Sequence, residues 1–290
     1  MGISQYIKEI GRGPRGSKPL TREQAADLFG QLLDGNVTDL EIGAFCLAMR
    51  IKGETPEEMC GFLDAAHSRM ALFPASDRPV IVLPSYNGAR KLPVLTPLLA
   101  LLLAREGLPV LLHGMRTEAR RTLASDVLLA LGVPALTAPE KIATGSVAHI
   151  ETGYLHAALA RLLKVREVVG LRNAGHSIVK LMNPCAGPAV VVTSYTHPEY
   201  YDMLQATFGA LHMTALLSRG LEGEVATDPR RTPRYDAFVA GVHQLLQEQQ
   251  PGTAADVPGL PTEIDIDTTA RYTQDVLDGR LPVPPALAQQ

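Results

Sequence analysis

The sequence predicts an α/β fold, with a small all-helical lobe and a larger α/β lobe built on a mostly parallel central sheet. Three observations predict it. The 290-residue chain has no Trp and 5% aromatic residues against 46% hydrophobic ones, so its core is Leu, Val, Ile and Ala, which suits helices on a parallel sheet better than a β-sandwich. Before residue 75 the apolar residues recur at helical spacing. From Pro79 onward, short apolar runs alternate with helical stretches, as strands buried on both faces do.

Thr21 is a helix N-cap with Gln24 as its capping-box partner, followed by Ala25, Leu28, Phe29 and Leu32 at helical spacing. Asn36-Val37-Thr38 makes a turn, and Ile42, Phe45, Cys46, Met49 and Ile51 form the next stripe. Pro56 stands at the first position of another helix. Val80–Leu83 reads as a buried strand ending in Pro-Ser-Tyr-Asn-Gly. A helix over Thr96–Arg105, a strand over Pro109–Leu112, a helix over Thr117–Leu131 and a strand over Val147–Ile150 follow. His156–Met182 is helical and returns to the small lobe. Ala189–Val192 is a strand, Pro198–Leu211 a helix, Met213–Leu217 a strand, and Thr268–Leu277 a last helix. The expected division is a helical lobe over 1–75, completed by about 155–182, and an α/β lobe over 76–154 and 183–290.

Cys46, Cys60 and Cys185 are odd in number and lack metal-ligand spacing, which argues against a disulfide framework or structural zinc and for a reducing cytoplasm. The opening MGISQYIKEIGRG lacks the apolar core of a signal peptide, and the longest apolar run, Pro97–Ala104, is too short to span a bilayer. Net charge is −3, yet the residues from Leu245 onward carry −5, leaving +2 before them; 20 of the 27 basic residues are Arg. A local basic surface is compatible with these totals without following from them.

Basic residues gather in five stretches: Lys8, Arg12, Arg15, Lys18 and Arg22; Arg90 and Lys91; Arg116, Arg120 and Arg121; Arg161, Lys164, Arg166, Arg172 and Lys180; and Arg219, Arg230, Arg231 and Arg234. Taken singly, each reads most simply as a solvated face. Arg116 and Arg120 are expected one turn apart at a helix start, where free amides near Thr117 would help to hold a phosphate. No aromatic ladder accompanies these groups; Tyr86 is either a stacking platform or packed against a neighbouring loop. His113, His176 and His197 have no carboxylate or Cys at metal-ligand spacing, and no Ser-His-Asp arrangement can be argued, so no catalytic residue is assigned.

The segments LTREQAADLFGQLLDGNVTDLEIGAFCLAMRIKGETPEEM, HGMRTEARRTLASDVLLALGVP and LRNAGHSIVKLMNP resemble anthranilate phosphoribosyltransferases and the related pyrimidine nucleoside phosphorylases. The resemblance covers most of residues 18–235 and implies an anthranilate phosphoribosyltransferase-like fold with a cleft between the lobes. It also locates departures. Where the enzymes hold pyrophosphate on a GTGGD loop, this chain has Leu83-Pro84-Ser85-Tyr86-Asn87-Gly88, with one Gly and a Pro that lacks an N–H. Pro93, Val94, Leu95 and Thr96 replace an Asn-x-Ser-Thr helix start, and Leu112 replaces a phosphate-pairing Lys. Arg172 matches an Arg used for the acceptor carboxylate, but the following Phe-Asn is Gly175-His176 and a Gly-Pro is Val179-Lys180. The magnesium-holding acidic segment appears as Arg219-Gly220-Leu221-Glu222-Gly223, with Glu224 after it. Glu222 and Glu224 could hold a hard cation; the plainer alternative is that they cap a turn and meet Arg219 or Arg230.

GRGPRGSKPL, PSYNGARK, SYTHPEY and RGLEGEVATDPRR further resemble the YbiB-type paralogues of that enzyme. This resemblance implies a homodimeric nucleic-acid-binding protein without transferase activity and without a cofactor. Its interface would be Arg90, Lys91, Arg116, Arg120, Arg121, Arg172 and Lys180, with Lys8, Arg12, Arg15 and Lys18 as a second basic arm. Ile42, Phe45 and Met49 are candidates for the dimer contact. The competing expectation is a glycosyl or phosphoribosyl transferase with a rebuilt phosphate loop, which would require Mg.

Overall fold

The computed structural model describes residues 2–13, 15–254 and 256–290. The chain opens with four helices, α1 (Ser4–Ile10), α2 (Arg22–Leu33), α3 (Asp39–Lys52) and α4 (Pro56–His67). Thr21, Thr38 and Thr55 each accept the amide of the third helical residue, and Gln24, Glu41 and Glu58 return a bond to the cap amide, so three complete capping boxes set where α2, α3 and α4 begin. The rings of Phe29 and Phe62 lie 5.0 Å apart, with Phe45 5.9 Å from Phe62, and all three are fully buried. A Cβ on Gly61 would lie 2.2 Å from the Arg22 carbonyl, so only Gly allows α2 and α4 to approach this closely. Buried Glu58 accepts from Leu20 N (2.9 Å) and Lys52 Nζ (2.5 Å), which pins the end of the N-terminal basic stretch to α4.

The rest of the chain runs β1 (Val80–Pro84), α5 (Thr96–Arg105), β2 (Val110–Gly114), α6 (Ala124–Ala130), β3 (Ala135–Leu136), β4 (Val147–Glu151), α7 (Thr152–Leu155), α8 (Ala157–Val169), α9 (Gly175–Leu181), β5 (Ala189–Tyr195), α10 (Glu199–Ala210), β6 (Ala215–Arg219), β7 (Tyr235–Val239), β8 (Val242–Gln247), α11 (Ile266–Leu277) and α12 (Pro285–Gln289). One eight-stranded sheet has the order β3-β4-β2-β1-β5-β6-β7-β8, parallel from β3 to β6 and antiparallel thereafter. The chain builds outward from β1 through β2 and β4, then returns to lay β5 on the other side of β1. The carboxyl ends of β1 and β5 therefore flank the point where strand order reverses, the usual place for a crevice in such sheets. One core cluster joins α2, α3, α4 and α9 to α10 and to Leu217 and Phe238 of the sheet, so the helical lobe and this sheet face share apolar packing.

Several expected elements differ. The helix expected over Thr117–Leu131 is confined to α6. Residues 115–123 are instead a loop, held by paired Ala89–Thr122 backbone bonds (2.8 and 3.2 Å) and by Arg116 Nη1 on the Arg121 carbonyl (2.7 Å). Arg116 and Arg120 thus share no helix face, and no helix start lies at Thr117. The returning segment is two helices, because Gly170 adopts a left-handed conformation (φ 76°) after α8. The β7–β8 hairpin was not expected; it turns on Ala240 and Gly241, both with positive φ (48° and 82°), without the Asn-Gly pair that marks such turns in sequence.

Phe45 and Met49 are fully buried and Ile42 is half-buried, so these residues pack within the helical lobe and Phe45 and Met49 cannot form a dimer surface. The outward apolar residues of α3 are Leu40 (84% exposed), Leu47 (46%) and Ile51 (62%). All three cysteines are free and buried. Burial pushes the Cys46 thiol up to about 11 and that of Cys185 up to about 12. No helix among the described residues is long and apolar enough to cross a membrane.

Candidate functional site

The loop leaving β1 over residues 84–91 is an amide-rich concavity despite its single glycine. The Ser85 amide donates to the His113 carbonyl (2.8 Å), and a Cβ on Gly114 would lie 1.8 Å from the Ser85 carbonyl, so the loop lies against the end of β2. Gly88 has φ 67°, with the Thr122 carbonyl 2.6 Å from where its Cβ would be; only Gly fits there. This turn aims successive amides inward, as anion-binding loops do.

The occupant of the concavity is the protein's own acidic segment. Glu224 Oε1 accepts the amides of Asn87 (3.1 Å) and Gly88 (2.8 Å), while Oε2 accepts the hydroxyls of Ser85 (2.5 Å) and Thr96 (2.9 Å). Glu222 Oε2 accepts the amides of Arg90 and Lys91, both at 2.9 Å. Glu222 has φ 56°, unusual for a residue with a side chain, and Gly223 follows at φ 87° with no room for a Cβ beside Asn87. That backbone turn presents both carboxylates to one loop. Neither meets Arg219 or Arg230 as the plainer sequence reading expected; Arg230 pairs with Asp228 (2.9 Å). Among the described residues, no group of three or more His, Cys, Asp or Glu is arranged to hold a metal ion.

The expected basic residues divide sharply. Arg90 is 58% exposed with a loose 3.6 Å contact to Glu222, and Lys91 and Arg120 are exposed with no ion pair among the described residues. Arg116 is exposed but paired with Asp126. Arg121 has a side chain only 9% exposed and is structural: it bonds Glu118 (2.9 Å) and the Gly88 carbonyl (3.2 Å) and lies 3.9 Å from Glu222. Arg166 also reaches Glu118 (3.0 Å). Burial opposes ionisation of that carboxyl, but Arg166 and Arg121 outweigh it and hold Glu118 below the usual range. Arg172 and Lys180 face inward: Arg172 donates to Asn87 Oδ1 and sits 6.0 Å from the Tyr86 ring, and Lys180 donates to the Ser194 carbonyl.

The N-terminal stretch is anchored rather than free. Lys8 lies on α1, buried Ile3, Ile10 and Leu20 fix the segment, and Arg12 pairs with Glu9 (2.8 Å). Lys8, Arg12, Arg15 and Lys18 are exposed, and no hydrogen bond or ion pair among the described residues links them to the 84–91 loop.

Between the lobes, beside this loop, is a cavity of about 320 Å³. Tyr86, His176, Lys180, Ser194, Tyr195 and Tyr200 contribute to its wall. The sequence hid this gathering, because its residues come from the β1 loop, α9, the end of β5 and α10. Burial, with Arg172 and Arg166 adding to it, pushes His176 down to about 3, so its ring is neutral. Burial and the Arg172 charge lower Lys180 to about 8. Tyr86 is buried, its ring edge-on to His176 at 5.9 Å, and burial raises its hydroxyl above the ordinary tyrosine value.

Residues 4–70 match the family described as glycosyl transferase family, helical bundle domain. The chain is 37% identical to the uncharacterized protein YbiB of Escherichia coli (strain K12), over all of this chain and 92% of that protein. It is 28% identical to the anthranilate phosphoribosyltransferase of Persephonella marina over 96% of this chain and 83% of that one. Among solved structures, anthranilate phosphoribosyltransferase from Thermus thermophilus superposes with a TM-score of 0.75 at 22% identity, covering 99% of this chain and 84% of that one. The Saccharomyces cerevisiae enzyme in complex with PRPP and Mg does so at 0.70 and 14% identity, over 98% and 83%. With one eight-stranded sheet, a capped helical lobe and full-length similarity to these proteins, the chain belongs to the anthranilate phosphoribosyltransferase family, as a paralogue of the YbiB type.

Proposed function

We propose that this protein binds nucleic acid with low sequence specificity along the cation-bearing rim of the interlobe cleft and does not catalyse phosphoribosyl transfer. The observation that carries the reading is the seating of Glu224 and Glu222 on the amides and hydroxyls of the 84–91 region. A pyrophosphate held with a divalent ion needs those donors aimed at phosphate and those carboxylates aimed at metal. Here each set is turned on the other, so the residues present do not fit that group.

At the end of the filled loop and beyond it, the side chains of Arg90, Lys91 and Arg120 remain exposed, long and flexible. Such cations suit a chain of phosphates better than one small molecule, and phosphate contacts carry no base sequence. The protein acts as a homodimer in this reading, through the outward face of α3 that bears Leu40 and Ile51, and works in the cytoplasm.

A gel-shift titration over salt, run beside a pyrophosphate-release assay with phosphoribosyl pyrophosphate, anthranilate and magnesium, tests both halves. The expected result is binding whose log K falls linearly with log salt, and no release above background. Turnover on the order of 1 per second or faster would overturn the catalytic half. Absence of salt-dependent binding would overturn the other.

A further inference from the structure

We infer that β8 is a docking edge for a second copy of this chain, the two strands pairing antiparallel about a twofold axis at Gln244. The inference goes beyond the nucleic-acid reading and does not depend on it. β8 ends one side of the eight-stranded sheet, and among the described residues no strand lies beyond it. Val242 (64% exposed), Leu245 (42%) and Leu246 (60%) leave it open to solvent, with Val239 of β7 (52%) beside them. The opposite edge, β3, is only two residues long. Short strands, Lys or Pro normally keep sheet edges from pairing. Residues 237–247 include no Lys, Arg, Asp, Glu or Pro, so this edge lacks those guards.

The register fixes which groups are available. The two-residue turn at Ala240 and Gly241 makes Val239 and Val242 a hydrogen-bonded pair, and Ala237 and Gln244 are the next such pair. By alternation, the main-chain N–H and C=O of His243 and Leu245 point away from β7, and among the described residues no other element bonds them. A register shift at Tyr235 and Asp236 bends the strand beyond Leu245, which leaves residues 242–245 as its regular part. With the axis at Gln244, His243 of each copy lies opposite Leu245 of the other. Outward main-chain groups then meet outward main-chain groups in two reciprocal pairs.

The strand complements itself, which favours a second copy over another extended chain. Gln244 meets its own copy across the axis, and a carboxamide both donates and accepts. Val242 falls opposite Leu246 of the other copy, an apolar pair at each end. Charge does not oppose the contact. Glu248, the first acidic residue after the strand, falls opposite Ala240, and the imidazole of His243 is already held by buried Asp236 (2.6 Å). An axis normal to the sheet reverses strand direction in the second copy, so the two interlobe clefts open at opposite ends of the joined sheet and neither is covered. A six-residue edge belongs with small transient interfaces, under about 1,200 Å². The pairing is therefore expected at protein concentrations on the order of 100 μM rather than at micromolar ones.

The test is cysteine cross-linking of the full chain at that concentration, under mild oxidation, read on a non-reducing denaturing gel. Opposed residues of a non-hydrogen-bonded pair have Cα atoms about 4.5 Å apart, within reach of a disulfide. The native thiols are buried and should not contribute. Gln244→Cys is expected to give a covalent dimer. Val242→Cys alone is not, because its two copies would lie roughly 13 Å apart along the strands. Val242→Lys with Leu246→Lys, added to Gln244→Cys, should cut the yield about tenfold by setting charge on the edge. Both positions are exposed, so the fold should survive, which the melting temperature checks. In sedimentation, the mean mass of the parent should rise with concentration above that of the lysine variant. Equal yields from Gln244→Cys and Val242→Cys, a yield that the lysines leave unchanged, or identical sedimentation of parent and lysine variant at every concentration overturns the inference.

Discussion

Glu224 follows Gly88 by 136 residues and accepts its amide at 2.8 Å, so the end of the β6 segment closes the loop that leaves β1. The contact is one of four made by a carboxylate that is 5% exposed and has no cationic partner within ion-pair distance among the described residues. An anion held by neutral amides and hydroxyls in this way stands where a ligand phosphate would.

Replacing that carboxylate is therefore expected to uncover an anion site. Glu224→Ala leaves the Asn87 and Gly88 amides unmatched and is expected to destabilise the fold by about 2–6 kcal/mol, since each unmet buried donor costs about 1–3 kcal/mol. Inorganic pyrophosphate is expected to raise the melting temperature of this variant and not of the parent. Equal responses in differential scanning fluorimetry would show that Glu224 does not fill an anion site.

The cleft cations are expected to separate into two classes. Substituting Arg90, Lys91 and Arg120 together by Ala is expected to flatten the log–log salt dependence of duplex binding by about 2.7, at about 0.9 per phosphate contact, with the same loss for unrelated sequences. Stability should hardly change, because exposed pairs contribute little. Arg121→Ala should instead lower stability by about 1–3 kcal/mol, because its guanidinium bridges Glu118, Gly88 and Glu222. A triple variant that binds like the parent, alongside a weakened Lys8/Arg12/Arg15/Lys18 variant, would move the interface to the N-terminal stretch.

Acid should destabilise the protein through two rings. Burial lowers His113 to about 4 and His176 to about 3, below the ordinary value of 6.5. The unfolded chain therefore takes up protons first as pH falls below 6.5. Each ring removes up to about 1.4 kcal/mol of stability per pH unit until its folded value is reached. Urea unfolding between pH 7 and 4.5 is expected to show this slope, reduced in His176→Gln. A pH-independent difference between the parent and this variant would mean that His176 does not stay neutral in the fold.

The dimer face is expected to be the outer side of α3. Leu40→Glu with Ile51→Glu should give a folded monomer by light scattering where the parent is a dimer, since both side chains are exposed and neither supports the lobe's core. A parent that scatters as a monomer at micromolar concentration would refute the dimer itself.

Local signals carried much of the architecture. Thr21, Gln24 and Pro56 mark helix starts through bonds within one turn, and Thr96–Arg105 is a helix with those same bounds. Local signals failed where distant bonds decide. Residues after Arg116 have helical character, yet the Ala89–Thr122 pairing and the Arg116 bond to a main-chain carbonyl hold them as a loop. The acidic pair was visible as a motif, but its partner loop lies more than a hundred residues away. Nothing beside Tyr195 or Tyr200 in sequence shows that they meet Tyr86 and His176 across a cavity.

The three sheltered thiols make the surface chemically quiet. A thiol at about 11 carries roughly one thiolate in ten thousand at neutral pH, and Cys46 and Cys185 are buried as well. Cys60 is buried too, with burial raising it first and Asp64 and Glu57 opposing the pull of Arg22. Maleimide dyes should therefore leave the folded parent nearly unlabelled. A single cysteine introduced at exposed Arg120 would then carry the only fast-reacting label, giving a one-site distance probe against a dye on a bound strand without removing any native residue from the core.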